Sequence, residues 1–173
     1  MKFFILIFFA ICLVVGCNKE KVDVENFDKF KVSQSVIPDS ISHKLVQKNN
    51  SIVSEQSLAI SPYKYPSYNE NYICNASIIE NDTLNIWINN YNGYFGNGIL
   101  AQVFGNKFRI KSVTPKVIKG TKFENYELKT QELILDKTAF KRGDSLFGYL
   151  NFECVVDSAK SKKMFGYFKT KVQ

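Results

Sequence analysis

Few residues in this chain are equipped for catalysis. His43 is its only histidine, and it lies in a polar stretch with no predicted pocket around it. A Ser-His-Asp or Cys-His arrangement therefore lacks a base where the chain is patterned to fold. Glu124, Glu127, Glu132 and Glu153 show no spacing that marks a carboxylate pair for glycoside hydrolysis. No glycine-rich phosphate loop and no metal-ligand spacing occurs in the sequence. These residue types point away from an enzyme and call for no cofactor and no metal. The chemistry that remains is that of contact surfaces. Trp87 is flanked by Asn85 and Asn89, and the segment 90–98 adds Tyr91, Tyr94 and Phe95 among further amides and glycines. Rings that stack on sugar C–H faces, with amides bonding the hydroxyls, would make a glycan site. An exposed aromatic cluster serves a protein partner equally well. In a third reading Trp87 lies in a sheet covered on both sides, and the amides and glycines only serve the turn.

The elements that must position these residues are strands. From Tyr72 onward, short runs of period two are separated by Asn, Asp and Gly, which is the all-β pattern. Tyr72–Glu80 puts Cys74, Ala76 and Ile78 on one face. Thr83–Asn90 turns Leu84, Ile86 and Ile88 inward, so Trp87 points outward. Ile99–Phe104 is joined by Gly105-Asn106 to Lys107–Val113, where Phe108 and Ile110 alternate with Lys107, Arg109 and Lys111. Glu127–Leu135 follows, with a break near Gln131. Lys141-Arg142-Gly143-Asp144 reads as a turn into Ser145–Val156, whose Leu146, Leu150, Phe152, Cys154 and Val156 share one side. Asp157–Lys162 reads as a polar loop before a last strand, Met164–Val172. About seven short strands at this spacing predict an antiparallel β-sandwich, immunoglobulin-like or related, with a small β-barrel as the alternative.

The start of the chain is of another kind. Met1-Lys2 precedes an uncharged apolar run from Phe3 to Val15, and Gly16-Cys17-Asn18-Lys19-Glu20 follows. That is the layout of a secretory signal. Val14-Val15-Gly16-Cys17 resembles the lipobox of bacterial lipoproteins. The resemblance covers only the first twenty or so residues. It implies cleavage before Cys17, lipidation of Cys17, and a place in the bacterial envelope, in the outer membrane and facing either the periplasm or the outside. The apolar run falls short of the roughly 20 residues a spanning helix needs. Acyl chains suffice instead, since each buried methylene contributes about 0.8 kcal/mol.

Residues 1–16 are thus expected to be the signal peptide, 17–70 a polar tether and 71–173 the folded domain; within the tether, Phe27–Val36 reads as a short helix or an added edge strand, and Val36–Pro38 and Ile52–Ile60 as segments able to lie against the domain. The chain carries 23 basic and 16 acidic residues, and loss of Lys2 with the signal leaves 22 against 16. Such an excess favours solubility and weak attraction to phosphate-bearing surfaces. The cations are spread over Lys107, Arg109, Lys111, Lys116, Lys119, Lys122, Lys160, Lys162, Lys163, Lys169 and Lys171, which is the pattern of solvated strand faces and turns. No nucleic acid is expected outside the cytoplasm. With Cys12 in the signal and Cys17 lipidated, Cys74 and Cys154 remain in a compartment that permits disulfides. They are either a bridge, which would contribute roughly 4 kcal/mol in the chain-entropy model, or two buried free thiols.

Two short motifs complete the reading. Arg142-Gly143-Asp144 matches the tripeptide that integrins recognise, but it falls where a sandwich needs a turn. Asp39-Ser40-Ile41, Asp82-Thr83-Leu84, Asp144-Ser145-Leu146 and Asp157-Ser158-Ala159 resemble the O-glycosylation sequon of Bacteroidota, whose Asn- and Lys-rich composition this chain shares. The resemblance implies sugars on Ser40, Thr83, Ser145 and Ser158. The whole predicts an envelope lipoprotein that is a non-catalytic accessory module for another envelope protein. Glycan binding through Trp87, Tyr91, Tyr94 and Phe95, or neutralisation of an envelope enzyme in the manner of an immunity protein, are the alternatives.

Overall fold

The computed structural model describes residues 27–33, 45, 50–58, 72–90, 97–114 and 121–173. In chain order its strands are β1 (Asp28–Lys29), β2 (Lys31–Val32), β3 (Val53–Leu58), β4 (Ile73–Ile79), β5 (Thr83–Asn90), β6 (Asn97–Phe104), β7 (Lys107–Val113), β8 (Tyr126–Leu135), β9 (Ser145–Val156) and β10 (Lys160–Lys171). They make two five-stranded sheets, ordered β1-β7-β6-β5-β4 and β2-β8-β9-β10-β3. The sheets do not close on one another as a barrel, so the architecture is the expected β-sandwich. The strands pair antiparallel except for the short pairing between β2 and β8, and a parallel bridge joins Ala76 to Val172.

Alternation sets the core. Leu84, Ile86, Ile88, Ile99, Ala101, Val103, Phe108 and Ile110 of the first sheet face Leu133, Leu135, Leu146, Leu150, Phe152, Met164 and Phe168 of the second. Each large apolar side chain so buried is worth about 1.5–3 kcal/mol. Two glycines let the second sheet close up. A Cβ on Gly148 would lie 2.2 Å from the Phe168 ring, and one on Gly166 (φ +142°) would lie 2.5 Å from the Ser51 carbonyl oxygen. A side chain at either position would push a neighbour out of the core or off the sheet.

The stretch expected to be a tether over 17–70 supplies three strands, so the domain begins upstream of residue 71. β1 pairs with β7 and β2 with β8, which places consecutive residues of one segment on both sheets. Phe30, between them, is buried in the core and its N–H donates to the Asn106 carbonyl. This strap closes one side of the sandwich. The C-terminus closes the other, where Gln173 N–H donates to the Ala76 carbonyl at 2.8 Å and Ile78 N–H to the Gln173 carbonyl at 3.3 Å.

Two further boundaries differ from the sequence reading. The loop expected over Asp157–Lys162 is only a turn at Asp157–Ala159. Asp157 (φ 48°) and Ser158 (φ 56°) take the left-handed conformation of a tight hairpin turn, so β9 and β10 pair out to Val156 and Lys160. The irregularity expected near Gln131 is a register shift between Leu128 and Thr130. It leaves Lys129 as an extra residue on the outer edge of β8, a position where bulges discourage further strand pairing.

Candidate binding faces and a buried polar cluster

On the outer face of the first sheet the register sets Asn75, Trp87, Leu100 and Lys111 in one row across β4–β7. The sequence was right that Trp87 points away from the core between the sheets. It is half-buried all the same. Phe123, on the arm leading to β8, stacks on it with ring centroids 6.5 Å apart, and the Lys111 ammonium sits 4.7 Å from the Phe123 centroid. In the next row Gln102 donates to Asn85 Oδ1 at 3.2 Å, and Arg109 Nε donates to Gln102 Oε1 at 3.1 Å. Leu100 is only 2% exposed and Asn85 8%. The centre of this face is therefore covered, while Ile73, Asn75 and Ile79 along β4 stay exposed, and Trp87 lies half-buried between the two. Tyr91, Tyr94 and Phe95 lie outside the described residues.

The outer face of the second sheet carries a further aromatic surface, and the sequence reading passed over it. Phe147 and Tyr149 on β9 stand beside Lys169 and Tyr167 on β10, and Asn151 stands beside Phe165. The Tyr149 and Tyr167 rings are 4.9 Å apart at 52°. Lys169 lies over Phe147 at 5.3 Å and Lys163 over Phe165 at 5.4 Å. No outward residue of β9 or β10 is buried. In the middle, Asn151 Oδ1 is shielded from solvent and accepts no hydrogen bond among the described residues. The signal was present in the odd positions of Phe147, Tyr149, Phe165 and Tyr167. Strand reading follows the face that forms the core, and here that is the even one.

A third constellation lies between the sheets. Lys162, read as a loop residue, is 1% exposed on β10. Its ammonium donates to the Gly98 carbonyl at 2.8 Å, to Ser112 Oγ at 2.8 Å, to Glu124 Oε2 at 3.1 Å and to the Val113 carbonyl at 3.4 Å. Ser112 donates in turn to Glu124 Oε2, and Thr114 donates to Glu124 Oε1 at 2.8 Å. Burial pushes the Lys162 amine below its ordinary value, against the opposing pull of Glu124. Burial alone would raise the Glu124 carboxyl. The Lys162 charge and the two hydroxyls outweigh it and hold the group below the ordinary 4.5. An amine, a hydroxyl and a carboxylate in contact have the makings of a catalytic set. Here the amine and the serine hydroxyl are buried, the carboxylate is half-buried, and every donor on the amine already has an acceptor. The arrangement ties β10 to β6, β7 and the Glu124 arm.

Cys154 borders this cluster, directly opposite Lys162 in the β9–β10 register. Burial raises its thiol to about 11, and burial also drives the Cys74 thiol far upward. Both cysteines are free and buried. Of the two alternatives, the bridge between Cys74 and Cys154 is therefore not the one found. Cys74 hangs on the first sheet near β10, where Thr170 donates to its carbonyl, while Cys154 on the second lies beside Ser112 and Lys162. Such neutral, enclosed thiols are inert packing groups.

The remaining calls fall on turns. Ser145 and Ser158 are exposed, and Thr83, half-buried, opens β5. Each follows an aspartate at a strand end, where a glycan can be accommodated. Cys17, Ser40 and His43 lie outside the described residues. In Arg142-Gly143-Asp144 the carboxylate is occupied, because it accepts from Lys141 N–H at 3.1 Å and from Lys137 Nζ at 3.3 Å. The tripeptide serves its turn. Among the described residues no group of three His, Cys, Asp or Glu side chains is placed to hold a metal ion. No family model, no curated protein and no solved structure matches the chain.

Proposed function

We propose that this chain is a lipoprotein of the bacterial envelope, anchored through Cys17 in the outer membrane, and that it is a non-catalytic module binding another envelope protein through the outer face of its second sheet. The observation that carries the reading is the set of four half-buried rings, Phe147, Tyr149, Phe165 and Tyr167, on two adjacent strands. Tyrosine and phenylalanine at the centre of a patch, with charges around them, are what protein hot spots are made of. The mixed rim of Lys163, Lys169, Glu132 and Glu153 would set the partner's orientation. A photo-reactive residue at exposed Lys169 tests this in intact cells. The expected result is one adduct with an envelope protein, lost in the Tyr149→Ser/Tyr167→Ser double variant. An adduct that survives the double variant refutes the assignment of this face. For the anchor, Cys17→Ala is expected to release the protein from membranes.

One observation favours a glycan ligand for the same face. Among the described residues Asn151 Oδ1 is an acceptor without a donor, at the foot of ring surfaces suited to sugar stacking. Affinity electrophoresis in embedded polysaccharides separates the two readings, since retardation lost in Asn151→Ala and Tyr149→Ser would favour the sugar. The Trp87 face is the weaker glycan candidate, because Phe123 lies over it.

A further inference from the structure

The strap corner brings exposed apolar side chains and lysines together. Lys29 pairs with Lys107, and Lys107 pairs with Phe104, so the three share one hairpin tip. Phe104 is 53% exposed, and Val32, three residues beyond Lys29, is 48% exposed. Lys31, between them in sequence, projects into solvent with its amine on Glu132. An open phenylalanine and valine among three lysines is a combination suited to a lipid surface: apolar groups for the interface and cations for phosphates. Position in the chain strengthens the case. Cys17 precedes Phe27 by ten residues, which in any conformation span at most about 36 Å. The corner follows immediately, so an anchored domain cannot carry it far from the bilayer.

We infer that this corner is a lipid-contact surface. Phe104 and Val32 enter the headgroup region of the bilayer that holds Cys17, while Lys29, Lys31 and Lys107 meet the phosphates of its anionic lipids. The inference rests on the anchor proposed above. It gives the sandwich a fixed attitude on the membrane. The β9–β10 turn stands away from the bilayer, because it lies at the opposite end, where Asp157 N–H bonds the Asn125 carbonyl. Each lysine held near an anionic surface strengthens binding about fivefold, an effect that fades beyond a screening length of about 8 Å at physiological salt.

The test uses the lipidated mature protein on vesicles of phosphatidylethanolamine and phosphatidylglycerol, with phosphatidylcholine vesicles for comparison. A nitroxide is placed at Asn106→Cys or at Ser158→Cys, since Cys74 and Cys154 are enclosed. On anionic vesicles the probe at 106 should gain access to oxygen and lose access to a water-soluble nickel chelate, while the probe at 158 stays in water. Lys29→Glu/Lys107→Glu should return the probe at 106 to water. If the protein sediments with vesicles while both probes stay equally in water, the anchor holds and the contact surface is wrong. Lipid burial of the probe at 158 would overturn the orientation as well. If the protein does not sediment, the anchor reading fails, and the corner is judged with unlipidated Cys17→Ser protein at high vesicle concentration. Salt-sensitive binding to anionic vesicles, weakened at least tenfold by the double variant, sustains it, and no binding overturns it.

Discussion

On the first sheet, outward-pointing Leu100 and Asn85 are as buried as core residues, whereas on the second sheet every outward residue of β9 and β10 keeps some exposure. Both sheets obey the same alternation, and both carry aromatics on the outside. The difference comes from what lies over them. Residues 122–124 run antiparallel along the end of β7, lay Phe123 on Trp87 and bring Glu124 to Lys162. The second sheet has no such arm among the described residues. An outward aromatic is thus a second layer of packing in one place and a surface for a partner in the other. Alternation alone does not separate the two cases.

The largest effect is expected where the arm is pinned. Lys162→Ala removes one partner of a buried pair and should destabilise the fold by about 3–5 kcal/mol in denaturant unfolding. Leu100→Ala, on the covered face, should cost about 2–3 kcal/mol. Tyr149→Ala, on the open face, should cost only about 1 kcal/mol, mostly its pairing with Tyr167. Equal losses at Leu100 and Tyr149 would erase the contrast between the faces. A smaller effect is expected for Phe123→Ala, about 0.5 kcal/mol, with the emission of the single tryptophan shifting to the red as Trp87 is uncovered. An unshifted spectrum would mean that Phe123 is not the cover.

Acid provides a graded test of the same pin. The Glu124 carboxyl is held below 4.5 in the folded state, so its contribution to stability is complete above the ordinary carboxylate range. That contribution is lost as pH falls through the depressed folded value. Glu124→Gln should remove this part of the acid limb, which unfolding curves between neutral and acid pH would show. Smallest in energy is the behaviour of the thiols. Cys74 and Cys154 should ignore a thiol reagent in the native protein and react fully once it is unfolded, as mass spectrometry would count. Native-state labelling of Cys154 would show that the space around Lys162 is open.

The strands that were legible are those long enough to show a period. Thr83–Asn90, Lys107–Val113 and Ser145–Val156 have the bounds their alternation predicts. β1 and β2 were legible only as one of two alternatives for Phe27–Val36, a short helix or an added edge strand, since two residues have no period, and what selects them is an unpaired edge on each sheet. Lys162 reads as polar, and nothing in the local sequence says that its acceptors are a serine, a glutamate and two carbonyls from distant segments. Trp87 was placed on the correct face, and its cover comes from Phe123, 36 positions later, which no local rule connects to it. The rings of the second sheet were missed because a strand is read for the face it buries.

The strap has a kinetic consequence. β9 and β10 meet across three residues, so their hairpin closes early and locally. The strap joins residues far apart in sequence, Asp28 with Phe108 and Lys31 with Ile134. Within this chain its residues are synthesised first and their partners much later. The side of the sandwich that Phe30 fills is therefore expected to stay open until most of the chain is available, which makes that edge the segment most in need of shielding while the chain is incomplete.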